Sequence, residues 1–315
     1  MESHGVQTGP SCFAVRRFAS NPIIRPDMNA SIGDNINGPS LIRVPDWVEK
    51  PLGRYYLYFA HHKGTRIRLA YADRLEGPWK VYAPGVLRLE DSLFEHHVAS
   101  PDVHIDPERR QIRMYCHGPT PDGQKTRVAL SNDGLHFTIR PEILGDSYFR
   151  AFRWNGWWYA MAMPGVFYRS RDGLTGFQRG PTPFAGIVRP PRMMRHAALL
   201  LEANTLRVFY TCIGDCPERI LMSEIALTPD WADWMASPAV EVLRPQTQYE
   251  GADLPLDASR SGPATQPVRQ LRDPAIYREG GAVYLLYSVA GEQGIAIAEL
   301  ILPRQRPGQA SGRVG

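Results

Sequence analysis

Cysteine is scarce in this sequence, and its spacing argues against the common metal-binding frameworks. The 315 residues include four cysteines, of which only Cys212 and Cys216 lie close together. This pair has neither a second pair nor clustered histidines at the spacing that a zinc finger needs. We therefore expect reduced thiols on or near strands and, because disulfide frameworks are typical of secreted domains, a cytoplasmic location.

Basic runs, long apolar runs and a signal sequence are also missing. The 36 Lys and Arg residues against 32 Asp and Glu give a net charge of +4 with no Lys/Arg-rich run, which argues against a nucleic-acid partner. No apolar stretch is long enough to span a membrane, and residues 1–10 lack the apolar core of a secretory signal. We expect neither a nucleic-acid nor a membrane partner, and the sequence leaves the oligomeric state open.

Sustained helical spacing is absent too, and a strand pattern repeated five times takes its place. The five copies open with a short strand at or near Asn37, Ser100, Tyr148, Arg195 and Arg272. A second strand rich in aromatic and β-branched residues follows, then a third strand, and in three copies a turn and an aromatic residue end the unit. Such a unit is typical of one blade of a β-propeller, and a repeat on this scale indicates a toroidal or stacked architecture.

The repeat predicts an all-β fold, a single five-bladed β-propeller over residues 13–303. In this prediction residues 1–12 form an N-terminal polar segment and residues 304–315 a disordered C-terminal tail. Residues 13–18 are predicted to supply the outer strand of the last blade, because closing the ring removes an exposed sheet edge. Residues 230–270, rich in Pro, Ser and Gly, are predicted to form a long surface crossing between blades four and five.

Three short motifs give the chain a resemblance to a known group. They are Asn21-Pro22-Ile23, Ser100-Pro101-Asp102-Val103 and Arg272-Asp273-Pro274. With them the chain resembles the five-bladed β-propeller glycoside hydrolases, the group that holds glycoside hydrolase family 43 and, more distantly, the invertase-like and anhydrogalactosidase families. The resemblance implies a carbohydrate substrate. It also implies that Asp102 tunes and orients a catalytic acid and that Asp273 binds sugar hydroxyls at the transition state.

The sequence departs from family 43 at two positions. Where that family has its general base, an Asp in an Asp-Pro pair opening blade one, this chain has Gly38-Pro39, and the nearest carboxylate is Asp34. Where that family has its general acid, a Glu at the start of blade three, this chain has a position close to Ser147. Either other groups carry the chemistry here, or the protein does not hydrolyse glycosides.

Four carboxylates are candidates for the catalytic pair that glycoside hydrolysis usually needs. Asp102 and Asp273 both open inner strands, so both are expected to face the propeller axis. Asp34 is a blade-one substitute for the base, and Glu250, in a loop beside Gly251, could reach over the pocket as the acid. The alternatives are structural: turn caps, ion pairs with arginine, an Asx turn at Asp34 and a solvated loop charge at Glu250.

Histidines and arginines at blade openings and strand ends are candidates for substrate binding. Histidine can donate to sugar hydroxyls, transfer protons near neutral pH or bind a metal ion. Several arginines near one axis need carboxylate partners or an anionic substrate such as a uronic acid. The candidates are His61, His97, His117, Arg150, Arg195, His196 and Arg272.

The leading prediction is an exo-acting glycoside hydrolase for a short or modified, acidic or neutral sugar, with its site in the axial funnel. The alternatives are a non-catalytic carbohydrate-binding propeller and a lyase or isomerase acting on an acidic sugar. No cofactor is required, although the funnel could hold a metal ion. A pair of carboxylates in the funnel would favour hydrolysis, whereas a funnel with only histidine and arginine would favour a lyase or isomerase.

Overall fold

A computed structural model describes residues 13–301 and confirms the all-β, five-bladed β-propeller. Five small antiparallel sheets form a ring, and each sheet is one blade. The predicted polar segment 1–12 and tail 304–315 lie outside the described residues. Three described cysteines, Cys116, Cys212 and Cys216, are free thiols.

The first four blades run outward from the axis in chain order. Blade one contains β2 (Asn37–Arg43), β3 (Tyr55–Ala60), β4 (Arg66–Ala72) and β5 (Lys80–Arg88). Blade two contains β6 (Ala99–Asp106), β7 (Gln111–Thr120) and β8 (Gly123–Ser131), with the short β9 (Thr138–Ile139) and β10 (Gly145–Asp146) both paired to β8. Blade three contains β11 (Arg150–Trp154), β12 (Trp157–Ala162), β13 (Val166–Ser170) and β14 (Gln178–Arg179). Blade four contains β15 (Met193–Glu202), β16 (Thr205–Ile213), β17 (Ile220–Ala226) and β18 (Val240–Leu243).

The last blade closes the ring with a strand from the start of the chain. It contains β19 (Arg272–Glu279), β20 (Ala282–Val289) and β21 (Gly294–Ile301), and β1 (Ala14–Arg17) pairs antiparallel with β21. The predicted outer strand from residues 13–18 is therefore confirmed. The predicted crossing 230–270 was too long, because its first part forms β18 at the edge of blade four.

Helical structure in residues 13–301 is confined to four short 3-10 turns. They are Pro26–Met28, Leu89–Asp91, Trp231–Asp233 and Gln248–Glu250. Accordingly, none of the helical segments in this range has the length and apolarity to cross a bilayer.

A bulge recurs where the inner strands begin. The register with the second strand shifts between Asn37 and Ser40 in β2, and equivalent shifts occur in β6, β15 and β19. Gly38, Ser100 and Asp273, at the bulges of β2, β6 and β19, have positive φ angles of 57°, 50° and 48°. A bulge re-aims a side chain, and it is over-represented next to active sites. Residues at the start of several blades therefore have a bulged backbone, and three of them have positive φ angles.

Neighbouring blades are joined by a repeated tyrosine contact. Tyr58 of blade one donates its hydroxyl to the carbonyl of Gly134 in the outer turn of blade two (2.9 Å). Tyr115 of blade two makes the same bond to Gly173 of blade three (2.7 Å). Both tyrosines are fully buried, and Gly134 and Gly173 adopt positive φ angles of 77° and 71°. Each middle-strand tyrosine therefore holds the turn of the next blade.

Replacing Tyr58 with Phe should lower the free energy of unfolding by about 2 kcal/mol, because the Gly134 carbonyl loses its partner inside the core. Tyr115→Phe should behave alike, and denaturant unfolding followed by fluorescence measures both. Tyr71→Phe, which alters a half-buried ring packed on the same cluster as Tyr58, is the matched control and should change stability by less than about 0.5 kcal/mol. Equal effects at Tyr58 and Tyr71 would contradict the role of the turn contact.

Candidate active site

A cavity of about 330 Å³, here called the axial cavity, lies where the inner strands begin. Blade one contributes His62, blade two His97 and His117, blade three Tyr148, and blade four Arg195 and His196. Ser261 and Gly262 of the crossing complete the wall. The register of the sheets brings these residues together. Ala99 at the start of β6 pairs with His117 near the end of β7, so the start of an inner strand and the end of the second strand lie at the same side of a blade.

Three rings contact one another in a row along the wall of the axial cavity, with Tyr148 between His117 and His196 and its ring tilted against both. The Tyr148 ring centroid lies 4.0 Å from that of His117 and 4.1 Å from that of His196. Tyr148 has a φ of +66°, a conformation that is uncommon for residues other than glycine and is often kept at functional sites. Burial raises the pKa of Tyr148 to about 12, so its hydroxyl remains protonated at neutral pH.

His196 is held by a buried carboxylate. Its Nδ1 contacts Oδ1 of Asp273, a residue with no solvent exposure, and Ser288 Oγ donates to the other oxygen of that carboxylate (3.1 Å). Nε2 of His196 is buried and has no hydrogen-bond partner within residues 13–301. A carboxylate on Nδ1 fixes the tautomer and orientation of an imidazole and stabilises the imidazolium that forms when Nε2 takes a proton.

The axial histidines are neutral at pH 7. Burial is the largest cause that lowers the pKa of all four, and positively charged arginines lower it further at His62, His117 and His196. The shift is largest for the two fully buried rings: His97 adds to it at His117, and Arg195 and Arg150 add to it at His196. A neutral imidazole both donates and accepts a hydrogen bond, which suits sugar hydroxyls.

The three arginines that open blades have protein partners. Arg272 pairs with Glu292 (2.8 Å) and Glu218 (3.2 Å), and Arg195 also pairs with Glu218 (2.9 Å). Arg150 donates to the carbonyls of Ala197 and Pro101 (3.0 Å each) and lies 4.0 Å from Asp102. These contacts favour a structural role over binding of an anionic substrate, because protein partners offset the cost of burying a guanidinium.

None of the four predicted catalytic carboxylates lines the axial cavity. Asp102 accepts from the Ala151 amide and from His104 Nε2 (2.7 Å each), so it joins blades two and three. Burial acts to raise the pKa of Asp102, but His104, Arg150 and the Ala151 amide together lower it. Asp273 stands behind His196.

The other two carboxylates occupy contrasting places. Asp34 has a side chain that is 93% exposed and lies 3.4 Å from His61. Glu250 is fully buried and accepts bonds from Arg17 (2.7 Å) and Tyr287 (2.9 Å), so it fastens the crossing to blade five. Within residues 13–301 no carboxylate of any kind lines the axial cavity.

The remaining predicted ligands separate into two groups. His97, His117, Arg195 and His196 meet in the axial cavity, whereas His61 lines a second cavity and Arg272 lines a third, beside the crossing. Tyr148 and Gln124 also line the axial cavity, and neither was predicted as a ligand. Tyr148 could have been predicted as a ligand from its position in the sequence, because it lies where the third copy of the repeat begins. Residues 13–301 contain no set of three His, Cys, Asp or Glu side chains placed to hold a metal ion.

Comparison with solved structures shows the same fold at low sequence identity. A glycosyl hydrolase from Bacteroides ovatus superposes with a TM-score of 0.68 at 10% identity, covering 93% of this chain and 94% of that one. CoXyl43, a family-43 β-xylosidase/α-arabinofuranosidase from a compost microbial metagenome solved with xylotriose, superposes with a TM-score of 0.60 at 12% identity, covering 91% and 95%. The resemblance to propeller glycoside hydrolases is thus confirmed for the fold.

Sequence comparison gives a nearer relative. No family model matches the sequence. Uncharacterized protein R118 of Acanthamoeba polyphaga mimivirus is 38% identical over 320 residues, which cover 91% of this chain and 90% of that protein. With this identity over almost the full length of both proteins, the chain belongs to the same family as mimivirus R118.

Proposed function

We propose that the protein is a glycoside hydrolase that binds the end of a short saccharide in the axial cavity. In this proposal His196 transfers the proton and Asp273 positions it. The observation that carries the proposal is the His196–Asp273 pair in the wall of a cavity lined by neutral donors and acceptors. The cavity volume of about 330 Å³ falls at the small end of ligand pockets, which suits a terminal sugar unit and exo action.

Two further observations support a carbohydrate ligand. The five-bladed fold is shared with structures described as glycoside hydrolases, one of them solved with xylotriose. The wall combines hydroxyl, amide and imidazole groups with the ring of Tyr148, and a sugar presents both hydroxyls and an apolar face to such a surface. Fold alone does not assign a reaction, so the chemistry is argued from His196.

Neutral His196 has the properties of a general base. A water molecule bound at Nε2 could lose its proton to the imidazole as it attacks the anomeric carbon, while Asp273 stabilises the imidazolium. Tyr148, whose ring lies against His196 in a tilted contact, gives its hydroxyl proton to the departing oxygen, and the imidazolium then returns the proton taken from water to the tyrosine oxygen, so that both groups end in their starting states. Asp273 thus takes part through His196 and not as one member of a carboxylate pair.

A second candidate is a lyase acting on an acidic sugar. The absence of a carboxylate from the axial cavity within residues 13–301 favours it, since hydrolases of this kind usually use two. A histidine can remove the proton next to a carboxylate group and return it to the leaving oxygen. The two reactions differ in mass: hydrolysis products gain the elements of water, whereas elimination leaves a double bond.

Incubation with a panel of neutral and acidic oligosaccharides, followed by mass spectrometry, tests the proposal. Wild type should release sugars with the mass of hydrolysis, and His196→Gln should reduce release at least about 100-fold because it removes the base. Asp273→Asn should lose activity while still binding substrate. His136→Gln, which changes an exposed histidine on blade two, is the control and should leave release unchanged.

Several outcomes would contradict this assignment. Products that carry a new double bond would replace hydrolysis with elimination. Loss of release in Asp102→Asn with full activity in His196→Gln would move the chemistry to Asp102, as the resemblance to family 43 implies. No release from any oligosaccharide by folded protein would favour a binding function.

The neutral histidines also make stability depend on pH. His117 and His196 have folded pKa values well below the unfolded value of about 6.5. Below about pH 6.5 the unfolded chain therefore binds protons that the folded protein does not, and each histidine lowers the free energy of unfolding by up to about 1.4 kcal/mol per pH unit until its folded pKa is reached.

Urea unfolding should accordingly show a midpoint that falls as the pH decreases below about 6.5. Replacing both His117 and His196 with Gln should flatten this dependence, whereas His136→Gln should preserve it. A wild-type midpoint that stays constant or rises on acidification would contradict neutral histidines in the folded state.

A further inference from the structure

A second cavity, of about 270 Å³, lies on blade one. It is formed by the loop 30–33, the turn between β3 and β4, and the start of β4. We call it the blade-one cavity. Four of its lining residues, His61, Lys63, Arg66 and Arg68, carry basic side chains, and no carboxylate is among the lining residues within the described chain.

The guanidinium of Arg68 is buried without a carboxylate. Arg68 is 4% exposed, stacks over Phe59 at 4.7 Å and gives its two terminal nitrogens to the carbonyls of Ile32, Asn35 and Ala60. Burial and the neighbouring Arg66 lower its pKa to about 9. Carbonyl oxygens accept from the two terminal nitrogens of Arg68, but its Nε is buried without a hydrogen-bond partner, and Asp34, the carboxylate that favours its charge, forms no ion pair with it.

Lys63 and Arg66, which also line this cavity, likewise have no carboxylate partner among the described residues. Arg66 donates to the Ser31 carbonyl (3.1 Å), and its Nε is buried without a hydrogen-bond partner. Across residues 13–301, neither Arg66 nor Lys63 lies within 4.0 Å of a carboxylate oxygen. Asp34 pairs with His61 and has a side chain that is 93% exposed. Arg195 and Arg272 differ from these side chains, because both pair with Glu218.

Consecutive residues line the blade-one cavity and the axial cavity. His61 lines the first and His62 the second, directly after β3 ends at Ala60. One ligand could therefore place a sugar ring against His62 and a substituent beyond His61. Arginine and lysine together recognise sulfate, phosphate and carboxylate groups through charge-assisted hydrogen bonds.

We propose that the blade-one cavity binds an anionic group, a sulfate, phosphate or carboxylate, carried by the saccharide whose ring occupies the axial cavity. The identity of the ring rests on the function proposed above, whereas the anion site rests on the unmatched charges of Arg66, Arg68 and Lys63. The substrate is thereby an acidic sugar, and its charge is recognised on blade one and not by the arginines at the axis.

Calorimetric titration with sodium sulfate and inorganic phosphate at low ionic strength tests the anion site. Wild type should bind both anions, and the double variant Lys63→Met/Arg66→Gln should bind them about tenfold more weakly or not at all. Lys80→Met, which removes an exposed lysine from β5 of the same blade, should bind like wild type. Failure of the wild type to bind either anion, or equal weakening by Lys80→Met, would overturn the proposal.

A second titration separates a sugar substituent from a free anion. Glucuronic acid and glucose 6-sulfate should bind wild type about tenfold more tightly than glucose, and the double variant should lose this preference. Equal binding of acidic and neutral sugars by a protein that binds sulfate would overturn the link to the saccharide. Sulfate binding without sugar release from any oligosaccharide would leave the anion site in place and contradict the hydrolase.

Discussion

Burial of Arg272 is the constraint on which the rest of the structure depends. Its guanidinium, 3% exposed, bonds Glu218 of blade four and Glu292 of blade five, and Asn35 and Asn37 of blade one donate to the same Glu292 carboxylate. The contacts of Arg272 and Glu292 therefore link blades four, five and one near the centre of the ring, in addition to the pairing of β1 with β21 in blade five. Removing either carboxylate would leave excess positive charge in the core, which is strongly destabilising. Asp273, the next residue, is aimed at His196 by the bulge that Arg272 begins.

The axial cavity and the blade-one cavity differ in the charge of the side chains that line them. The first has histidines that burial keeps neutral, and the arginine in its wall, Arg195, is paired with Glu218. The second has arginine and lysine without carboxylates. A neutral wall binds hydroxyls without a large desolvation cost, whereas an unmatched basic wall attracts an anion. Together the two cavities suit a ligand with a neutral ring and an acidic substituent.

The sequence could predict the five blades, because strand, hairpin and turn signals are local and recur. It could also place His97, His117, Arg195 and His196 near one cavity, since blade openings and strand ends meet at the axis. It could not assign partners to the buried charges. Glu218 lies in a loop without a repeated pattern, yet it pairs with two arginines. Glu250 resembles a free loop charge in sequence, but Arg17, from the opposite end of the chain, holds it inside. Such long-range ion pairs depend on the closed ring and leave no periodic signal.

In the proposed function, neutral His196, held by Asp273, is the proton-transfer group of a saccharide site. Nitrogen-15 NMR of the histidine-labelled protein tests it most directly, because the two ring nitrogens report the tautomer and the protonation state. We expect His196 to be neutral at pH 7 with its proton on Nδ1, and a bound saccharide to shift its Nε2 signal but not the signals of His136. A protonated His196 at pH 7, or a bound saccharide that leaves the signals of all four axial histidines unchanged, would contradict the account.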